Sequence, residues 1–467
     1  MNLNKLILIV IFLSTVFVYY TNQPFEFFLI LSFIFLFFSI YNLFVRFKES
    51  VPFGELIALI YFFENVMALV ILKLIMNYDL NDVGEFYVQV PIPTYLPFGL
   101  LACELFLVSY TLFKRPDYLW INYINNFKNI ISFKTLTNLL IFFSIASPIL
   151  EIANIGALAF VTTIFSKALL CVLIGFYLAG KGRTGNLYLL FGLLINIIST
   201  IKSGMFTGFV EFGVMVGLFN VTKINISSRK FNVLLFLFIA VIGVIGVSFL
   251  QNLKHDYREE AWLNNNENAN SETFYQNFIK NYEKADITDK AFYLGSLGRL
   301  NQAWLVSCTM EKVPIEQPFV NGETIVSSFT DALLPRILNK DKQQSGGRER
   351  MDKFTNVFLS GSVSMGIGYL GELYVNFGII GGIISFGILG IFFAFIEKKA
   401  LLLSVKNPLI LLFAPVYVMT FLTSGNDFFW IFNNLTMGTL ILYMIIRYFS
   451  KQNVLNLKLD KENNNNT

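Results

Sequence analysis

The residues best suited to chemistry lie in residues 251–365, the one long polar stretch of an otherwise apolar sequence. This stretch holds the only histidine of the chain, His255. It also holds a spaced set of cations: Arg258, Arg299, Arg336, Lys340, Lys342, Arg348 and Arg350. The planar guanidinium of arginine presents a fork of donors that matches phosphate oxygens. The set therefore predicts a site for a phosphate-bearing substrate, in which cations stabilise the charge that builds on a leaving group.

Such chemistry also requires a base within hydrogen-bond reach of the attacking hydroxyl. Glu372 is the first candidate, because it lies at the outer mouth of an apolar run, where a carboxylate is costly unless it is solvated or paired. His255, Asp256 and Glu323 are the alternatives. The sequence has neither an Asp-x-Asp pair nor a cluster of histidines and cysteines. We therefore expect a reaction without a metal ion or another cofactor.

Each of these residues also has a structural interpretation. Arg299 could lie on the solvated face of a helix or pair with a nearby carboxylate, and Arg258 could belong to a surface charge run. His255 could be a structural hydrogen-bonding residue. Glu372 could cap its helix or pair with an arginine of the polar stretch.

The composition indicates an all-α polytopic membrane protein. Of the 467 residues, 55% are hydrophobic and only 14% are charged, whereas about a quarter of a soluble protein is charged. The net charge of +4 is small and does not indicate nucleic-acid binding. Of the three cysteines, only Cys308 lies in the polar stretch, so no disulfide is expected there. The first apolar run lacks a cleavage site of small residues and predicts a retained helix.

A membrane-spanning helix needs about 20 mostly apolar residues. By this measure about twelve runs predict transmembrane helices, and they centre on residues 4–20, 25–45, 54–76, 96–113, 135–153, 157–179, 186–201, 204–221, 231–250, 370–395, 408–423 and 428–446. The runs at 186–201 and 204–221 are short and nearly continuous, so they could form one broken helix or a tight hairpin.

The distribution of cations in the short loops predicts the orientation, because lysine and arginine are retained on the cytoplasmic side. With the N-terminus inside, nearly all of these cations fall in cytoplasmic loops, and Lys202 is the exception. Lys202 could bind phosphate or extend to the membrane interface. The chain then divides into helices one to nine (1–250), a large, partly helical exoplasmic loop (251–365), helices ten to twelve (366–448) and a disordered cytoplasmic tail (449–467). Both termini are predicted to be cytoplasmic.

Within the exoplasmic loop, Thr288 can cap a helix that runs past Trp304. A second helix is predicted from Glu323 to Leu334, ended by Pro335. The glycines of residues 366–390 predict close packing of the tenth span against a neighbouring helix.

A separate set of ionisable residues lies inside the predicted spans: Glu64, Lys73, Glu104, Glu151, Lys167 and Glu211. Because buried charges are expensive and usually paired, we expect structural ion pairs, such as Lys167 with Glu104 or Glu211. A proton relay is the alternative, and it would favour a transporter or flippase for lipid-linked glycans.

Three motifs in order carry a resemblance: PFVNGET at 318–324, LPRILNKDK at 334–342 and GYLGELYVNFGIIGG at 368–382. Together with the twelve-span layout, they resemble the O-antigen and oligosaccharide repeat-unit polymerases called Wzy. The chain departs from that family in two places. Many members have tryptophan and proline where this chain has Ile337, Leu338, Asn339 and Asp341, and an arginine in an earlier span where this chain has Lys202.

The resemblance implies a metal-independent glycosyltransferase of the lipid-donor membrane class, with a GT-C-like architecture shared with O-antigen ligases. It implies polymerisation of undecaprenyl-pyrophosphate-linked oligosaccharide repeat units into O-antigen or a related surface polysaccharide, on the outer face of the bacterial inner membrane. Glu372 and His255 would be catalytic. The residues that would bind pyrophosphate or glycan are Arg258, Arg299, Arg336, Lys202, Lys340, Lys342, Tyr369 and Tyr374. Membrane lipid would be a partner, and a chain-length regulator protein is a further partner left open. An O-antigen ligase remains an alternative.

Overall fold

The computed structural model describes residues 3–465 except 47–51, 76–85, 115–118, 154–158, 181–182, 204–206, 221–243, 254–270, 335–338, 340–341, 344–346, 360–363 and 423. Across these ranges the chain is helical, with turns and irregular connections and no strand. The helices are α1 Leu3–Tyr20, α2 Phe25–Arg46, α3 (Phe53–Phe62, a π-helical turn at Phe63–Met67, then Ala68–Ile75), α4 Ile92–Phe113, α5 Leu119–Asn125, α6 Phe127–Ile130, α7 Phe133–Ala153, α8 Ala159–Ala179, α9 Arg183–Ser203, α10 Thr207–Asn220, α11 Val244–Leu253, α12 Ser271–Lys284, α13 Ala291–Leu300, α14 Ala303–Lys312, α15 Glu323–Leu333, α16 Arg348–Phe354, α17 Tyr369–Lys406, α18 Leu409–Thr420 and α19 Phe428–Asn465.

The protein is a multi-pass helical membrane protein. Within the described ranges, eight helices are long and apolar enough to cross a membrane, namely α1 to α4, α7, α8, α17 and α19. The other predicted spans differ in length: residues 186–201 and 204–221 form two separate helices, α9 and α10, and residues 408–423 form the 12-residue α18. The predicted span at 231–250 lies largely outside the described residues, which resume at the start of α11.

The core of the bundle is the contact between α17 and α4. The predicted packing role is confirmed for Gly382, Gly387 and Gly390, which let the two helices approach closely, whereas Gly378 is the site of a break in α17. A Cβ atom at Gly390 would overlap with the backbone oxygen of Phe106, and one at Gly387 would lie 2.7 Å from Cγ of Leu105. Helices α13 to α16 pack on the end of this bundle where α3 finishes and α4, α17 and α19 begin. We call this the loop end, and the other the opposite end.

The helix predicted to follow Thr288 is divided into α13 and α14 at Asn301 and Gln302. Here tertiary hydrogen bonds replace helical ones. The Gln302 backbone N–H donates to the Glu64 backbone oxygen of α3 at 2.8 Å, and the Asn301 side chain donates to the Phe86 backbone oxygen at 3.2 Å. Thr288 is not a cap; it donates its N–H and hydroxyl to the Asp286 carboxylate. The helix predicted from Glu323 is confirmed as α15.

The last helix continues well beyond the predicted span 428–446 and the residues expected to be disordered. It runs to Asn465. Polar side chains on its extension bind the connection between α6 and α7: Asn453 donates to the Ile130 backbone oxygen at 2.8 Å and accepts the Ser132 N–H at 2.9 Å. Asn456 donates to the Thr135 hydroxyl at 3.1 Å. These bonds attach the polar extension to the bundle.

The buried charges are paired in part as expected. Lys167 and Glu211 form an ion pair at 2.8 Å, which confirms that prediction. Glu104 instead accepts a hydrogen bond from the Thr15 hydroxyl at 2.9 Å. The side chain of Glu151 lies outside the described part. The sequence reasoning missed a cluster at the opposite end, in which Lys114 lies 3.1 Å from Glu55 and 3.0 Å from Glu397.

Candidate functional site

The first and third sequence motifs meet at a break in α17. Gly378 has φ of 67° and ψ of −166°, a conformation that glycine adopts without the steric cost of a side chain. Next to this break the carbonyl oxygens of Val375 and Asn376 accept the N–H groups of Val320 and Asn321, both at 3.1 Å. The Gly322 N–H donates to the Asn376 side-chain oxygen at 2.8 Å. The NGET turn is thus bonded to the mouth of a membrane helix.

Arg350 of α16 lies at the centre of this assembly, although the sequence did not distinguish it from its neighbours. Its Nη1 pairs with Glu372, and the two side chains are 6% and 0% exposed. Its Nη2 donates to the Thr324 backbone oxygen at 3.0 Å, to the Gln343 side chain at 2.9 Å and to the Ser328 hydroxyl. One guanidinium therefore joins α16, α15 and α17 through charge-assisted hydrogen bonds.

Glu372, the first candidate for the base, has both carboxylate oxygens bonded within this network. One carboxylate oxygen accepts from Arg350, and the other accepts the Phe428 N–H at 2.9 Å. Asn376, one turn along the helix, donates to the Glu372 backbone oxygen and to the Thr324 hydroxyl. Because Glu372 is wholly buried, its carboxylate does not face open space. The geometry favours a positioning residue over a group that touches substrate.

A second carboxylate orders the chain around the LPRILNKDK motif. Asp331 accepts from the Asn339 side chain at 2.6 Å and from the Gln343 N–H at 3.0 Å. Lys342 donates to the Leu334 backbone oxygen at 3.1 Å. These bonds hold Asn339, Lys342 and Gln343 against α15.

Beside these motifs the loop end contains a cleft of about 660 Å³, within the size range of small-molecule sites. We call it the loop-end cleft. Its lining combines two carboxylates, a cation, three aromatic side chains, and polar backbone: Glu64, Asp427, Arg299, Phe86, Trp304, Trp430, Leu300, Gln302, Leu305, Gly347, Ser364, Met365, Gly366, Gly425 and Asn426. Trp430 is 41% exposed, and such a ring offers a flat apolar surface.

The two carboxylates reach the cleft from different helices. Glu64 lies in the π-helical turn of α3, a departure from α-helix that frequently marks functional sites. Its carboxylate accepts the Ser424 N–H at 2.7 Å. Asp427 caps α19 by accepting the Trp430 N–H at 2.9 Å. Its other oxygen lies 3.9 Å from Nη1 of Arg350, which connects the cleft to the buried network.

Of the cations predicted to bind substrate, Arg299 lies in the cleft, 5.8 Å from the Phe86 ring centre. Lys342 lies apart from it, 6.0 Å from the Phe429 ring. Arg336, Lys340, Arg258 and His255 fall outside the described residues, as does the side chain of Lys202.

Tyr369 and Tyr374, which the resemblance assigned to substrate, are packing residues in this structure. Tyr369 is fully buried between the rings of Tyr61 and Phe428. Tyr374 is 5% exposed and donates its hydroxyl to the Val313 backbone oxygen at 2.8 Å. They support the mouth of α17 rather than line the cleft.

No group of three or more His, Cys, Asp or Glu side chains is placed to hold a metal ion in the part of the chain that the structure describes. All three cysteines are free and buried. Burial raises the pKa of the Cys308 thiol to about 12, so that this side chain is a neutral thiol at physiological pH.

One comparison with known proteins gives a match. The model of a family described as Domain of unknown function (DUF8712) covers residues 117–457, from α5 into the last helix. No curated protein and no solved structure matches the chain.

Proposed function

This chain belongs to the DUF8712 family, and because the function of that family is unknown, we propose one from the geometry of the site: a glycosyltransferase that polymerises oligosaccharide repeat units carried on undecaprenyl pyrophosphate. The observation that carries the proposal is the loop-end cleft, where carboxylates, an arginine and an open tryptophan face one space beside the two docked motifs. The cation distribution favours an exoplasmic loop end and cytoplasmic termini, which is where a lipid-linked glycan would be extended.

In the proposed reaction, a hydroxyl of one repeat unit attacks the anomeric carbon of a glycan held on lipid pyrophosphate. The hydroxyl proton passes to a carboxylate, a new glycosidic bond forms, and the bond from the anomeric carbon to the pyrophosphate oxygen breaks. The electron pair leaves with the pyrophosphate. Arg299 stabilises its added negative charge, and the exposed face of Trp430 supports a sugar ring by apolar contact.

Glu64 is the better candidate for the base. Asp427 already has a partner at each oxygen, since one caps α19 and the other lies 3.9 Å from Nη1 of Arg350. Glu64 forms no ion pair with a cation in the described ranges, and its carboxylate accepts the Ser424 N–H from the connection between α18 and α19. Asp427, Glu372 and Arg350 then act as positioning residues.

The test is polymerisation by the purified full-length chain in liposomes that contain a lipid-pyrophosphate-linked repeat unit. We expect a ladder of longer lipid-linked products. Glu64→Gln should lower turnover by about 10²- to 10⁴-fold, the usual effect of losing a general base, with donor binding retained. Asp352→Asn, on the exposed face of α16, is the matched control and should polymerise normally. Wild-type turnover by Glu64→Gln would show that Glu64 is not the general base.

The same preparation distinguishes the polymerase from the ligase. Transfer of a single glycan to a different acceptor, with no ladder, would indicate a ligase instead. Because His255 and Arg258 lie outside the described residues, the assay rather than the geometry separates these two enzymes.

A transporter of lipid-linked glycans is the second candidate, and the break in α17 at Gly378 favours it. Interrupted helices of this kind form the substrate sites of many secondary transporters. Movement of the labelled lipid-linked glycan across the liposome membrane, without formation of a longer product, would support transport and contradict the enzyme.

A further inference from the structure

The opposite end of the protein carries a second large cavity that the proposed function does not use. It is a groove of about 860 Å³ between α3, α17, α18 and α19, and we call it the lateral groove. Apolar and aromatic side chains make up most of its wall, among them Ile57, Phe393, Ile410, Leu435 and Tyr443. An apolar groove of this size between membrane helices fits a hydrocarbon chain.

The groove is long enough for such a chain. Its lining on α19 extends from Leu435 to Lys451, which at 1.5 Å per residue is about 24 Å along the helix axis. The hydrocarbon core of a bilayer is about 30 Å thick, so this length exceeds the depth of one leaflet. By the same rise, Arg447 lies about 30 Å from Asp427 of the loop-end cleft. The groove therefore opens at the other membrane surface.

Three exposed cations, Lys399, Arg447 and Lys451, line the mouth of the groove. Arg447 and Lys451 are four residues apart and so share one face of α19. Lys399 lies on α17, with its ammonium 5.4 Å from the Phe395 ring centre. None of the three pairs with a carboxylate in the described part of the chain. The mouth is thus positive at the depth where lipid headgroups lie.

Glu397 is the one carboxylate in the wall of the groove, and it has partners inside the protein. Glu397 is buried, lies 3.0 Å from Lys114 and accepts a hydrogen bond from the Tyr110 hydroxyl. Glu397 faces Lys114 inside the protein, a cation that it shares with Glu55, whereas the positive charges at the mouth face outward. This arrangement selects an anionic ligand with a long apolar tail.

We propose that the lateral groove binds an anionic phospholipid of the surrounding leaflet, with an acyl chain between α17 and α19 and its phosphate on Lys399, Arg447 and Lys451. Basic pockets between membrane helices recognise phospholipid headgroups in this way. The site is independent of the proposed glycosyltransferase activity, because it lies at the other end of the bundle.

The experiment is a lipid titration of the purified full-length chain in detergent, read by native mass spectrometry, with phosphatidylglycerol and phosphatidylcholine as probes. Phosphatidylglycerol should bind more tightly than phosphatidylcholine. Lys399→Gln/Arg447→Gln/Lys451→Gln should weaken phosphatidylglycerol binding by on the order of fivefold per cation removed, or about a hundredfold in total. Lys128→Gln/Lys398→Gln/Lys406→Gln, which removes three exposed cations of the same end that do not line the groove, should bind as the wild type does.

A second variant tests the groove itself. Ala400→Trp places a large side chain in the wall and should abolish tight phosphatidylglycerol binding while leaving the three cations in place. Three results would overturn the proposal: equal binding of the two phospholipids by the wild type, equal effects of the two triple variants, or unchanged binding by Ala400→Trp. A tenfold preference for undecaprenyl phosphate over phosphatidylglycerol would overturn the assignment to a phospholipid.

Discussion

The buried Arg350–Glu372 pair offers the sharpest test of the site, because its two members should not be equally costly to replace. Arg350→Met removes the cation that lies within 4 Å of two buried carboxylates, Glu372 and Asp427, together with three further hydrogen bonds on Nη2. Glu372→Gln leaves Arg350 with Asp427 as a remaining counter-charge at 3.9 Å. We therefore expect Arg350→Met to be the more destabilising change.

The size of the effect follows from the burial of the pair. Removing one partner of a buried ion pair typically costs about 3 to 5 kcal/mol, because the other charge is left uncompensated. At about 1.4 kcal/mol per factor of ten, the ratio of folded to unfolded protein should fall by roughly a hundredfold to a few thousandfold. The double variant Arg350→Met/Glu372→Gln should be more stable than Arg350→Met alone, since it removes one of the two uncompensated carboxylates.

The measurement is thermal unfolding in detergent, followed by tryptophan fluorescence. Arg348→Met is the matched control, because Arg348 is exposed on the same helix two residues before Arg350. The expected order of melting temperature is wild type and Arg348→Met together, then Glu372→Gln, then Arg350→Met. Equal melting of Arg350→Met and Arg348→Met would refute the central place of this pair, and a double variant less stable than both single variants would refute the electrostatic reason for it.

Four other outcomes are expected. Gly390→Leu should abolish folded protein in a size-exclusion assay, because its side chain would overlap with the α4 backbone, whereas Gly213→Ala, with no atom within 4 Å of the added Cβ, should fold normally. Arg336→Lys should reduce polymer formation by about tenfold or more at wild-type protein levels, since an ammonium cannot reproduce a bidentate fork on phosphate; near-normal polymer would return Arg336 to a structural role. Turnover should survive a chelator, and strict dependence on one added divalent ion would contradict the arginine-based mechanism. Reporters fused after Glu272 and after Lys399 should be exoplasmic and cytoplasmic respectively, and the reverse at either point would invalidate the orientation.

Local signals in the sequence predicted the parts of the fold that depend on local interactions. The α15 helix ends where expected because Leu334 takes an extended conformation before Pro335. The apolar runs likewise predicted the eight long helices. The sequence did not predict the break between α13 and α14, because that break depends on a hydrogen bond from Gln302 to α3, more than 200 residues earlier in the chain.

In the candidate site, too, the sequence predicted what depends on local position and missed what depends on distant contacts. Glu372 was identified from its position at a span mouth, but its partner Arg350 was one of seven cations with nothing in its spacing to separate it. Glu64 was grouped with mid-span charges because a sequence does not reveal a π-helical turn or the cleft beside it. Asp427 had a weak local signal, as an aspartate directly before the apolar run that begins α19.

The way in which the loop-end segments attach to the bundle constrains the biogenesis of the protein. Residues 271–354 leave the ribosome before α17 and α19, yet the turn before α15 binds the mouth of α17 through Val320 and Asn321, and α15 packs on α19. The NGET turn therefore has no partner until Val375 and Asn376 have been made. A segment whose polar groups have no hydrogen-bond partner until a later helix is synthesised is accessible to proteases before that helix is made. A ribosome-stalled chain that ends before α17 should be cleaved within residues 271–354, and a chain extended through α19 should be protected there.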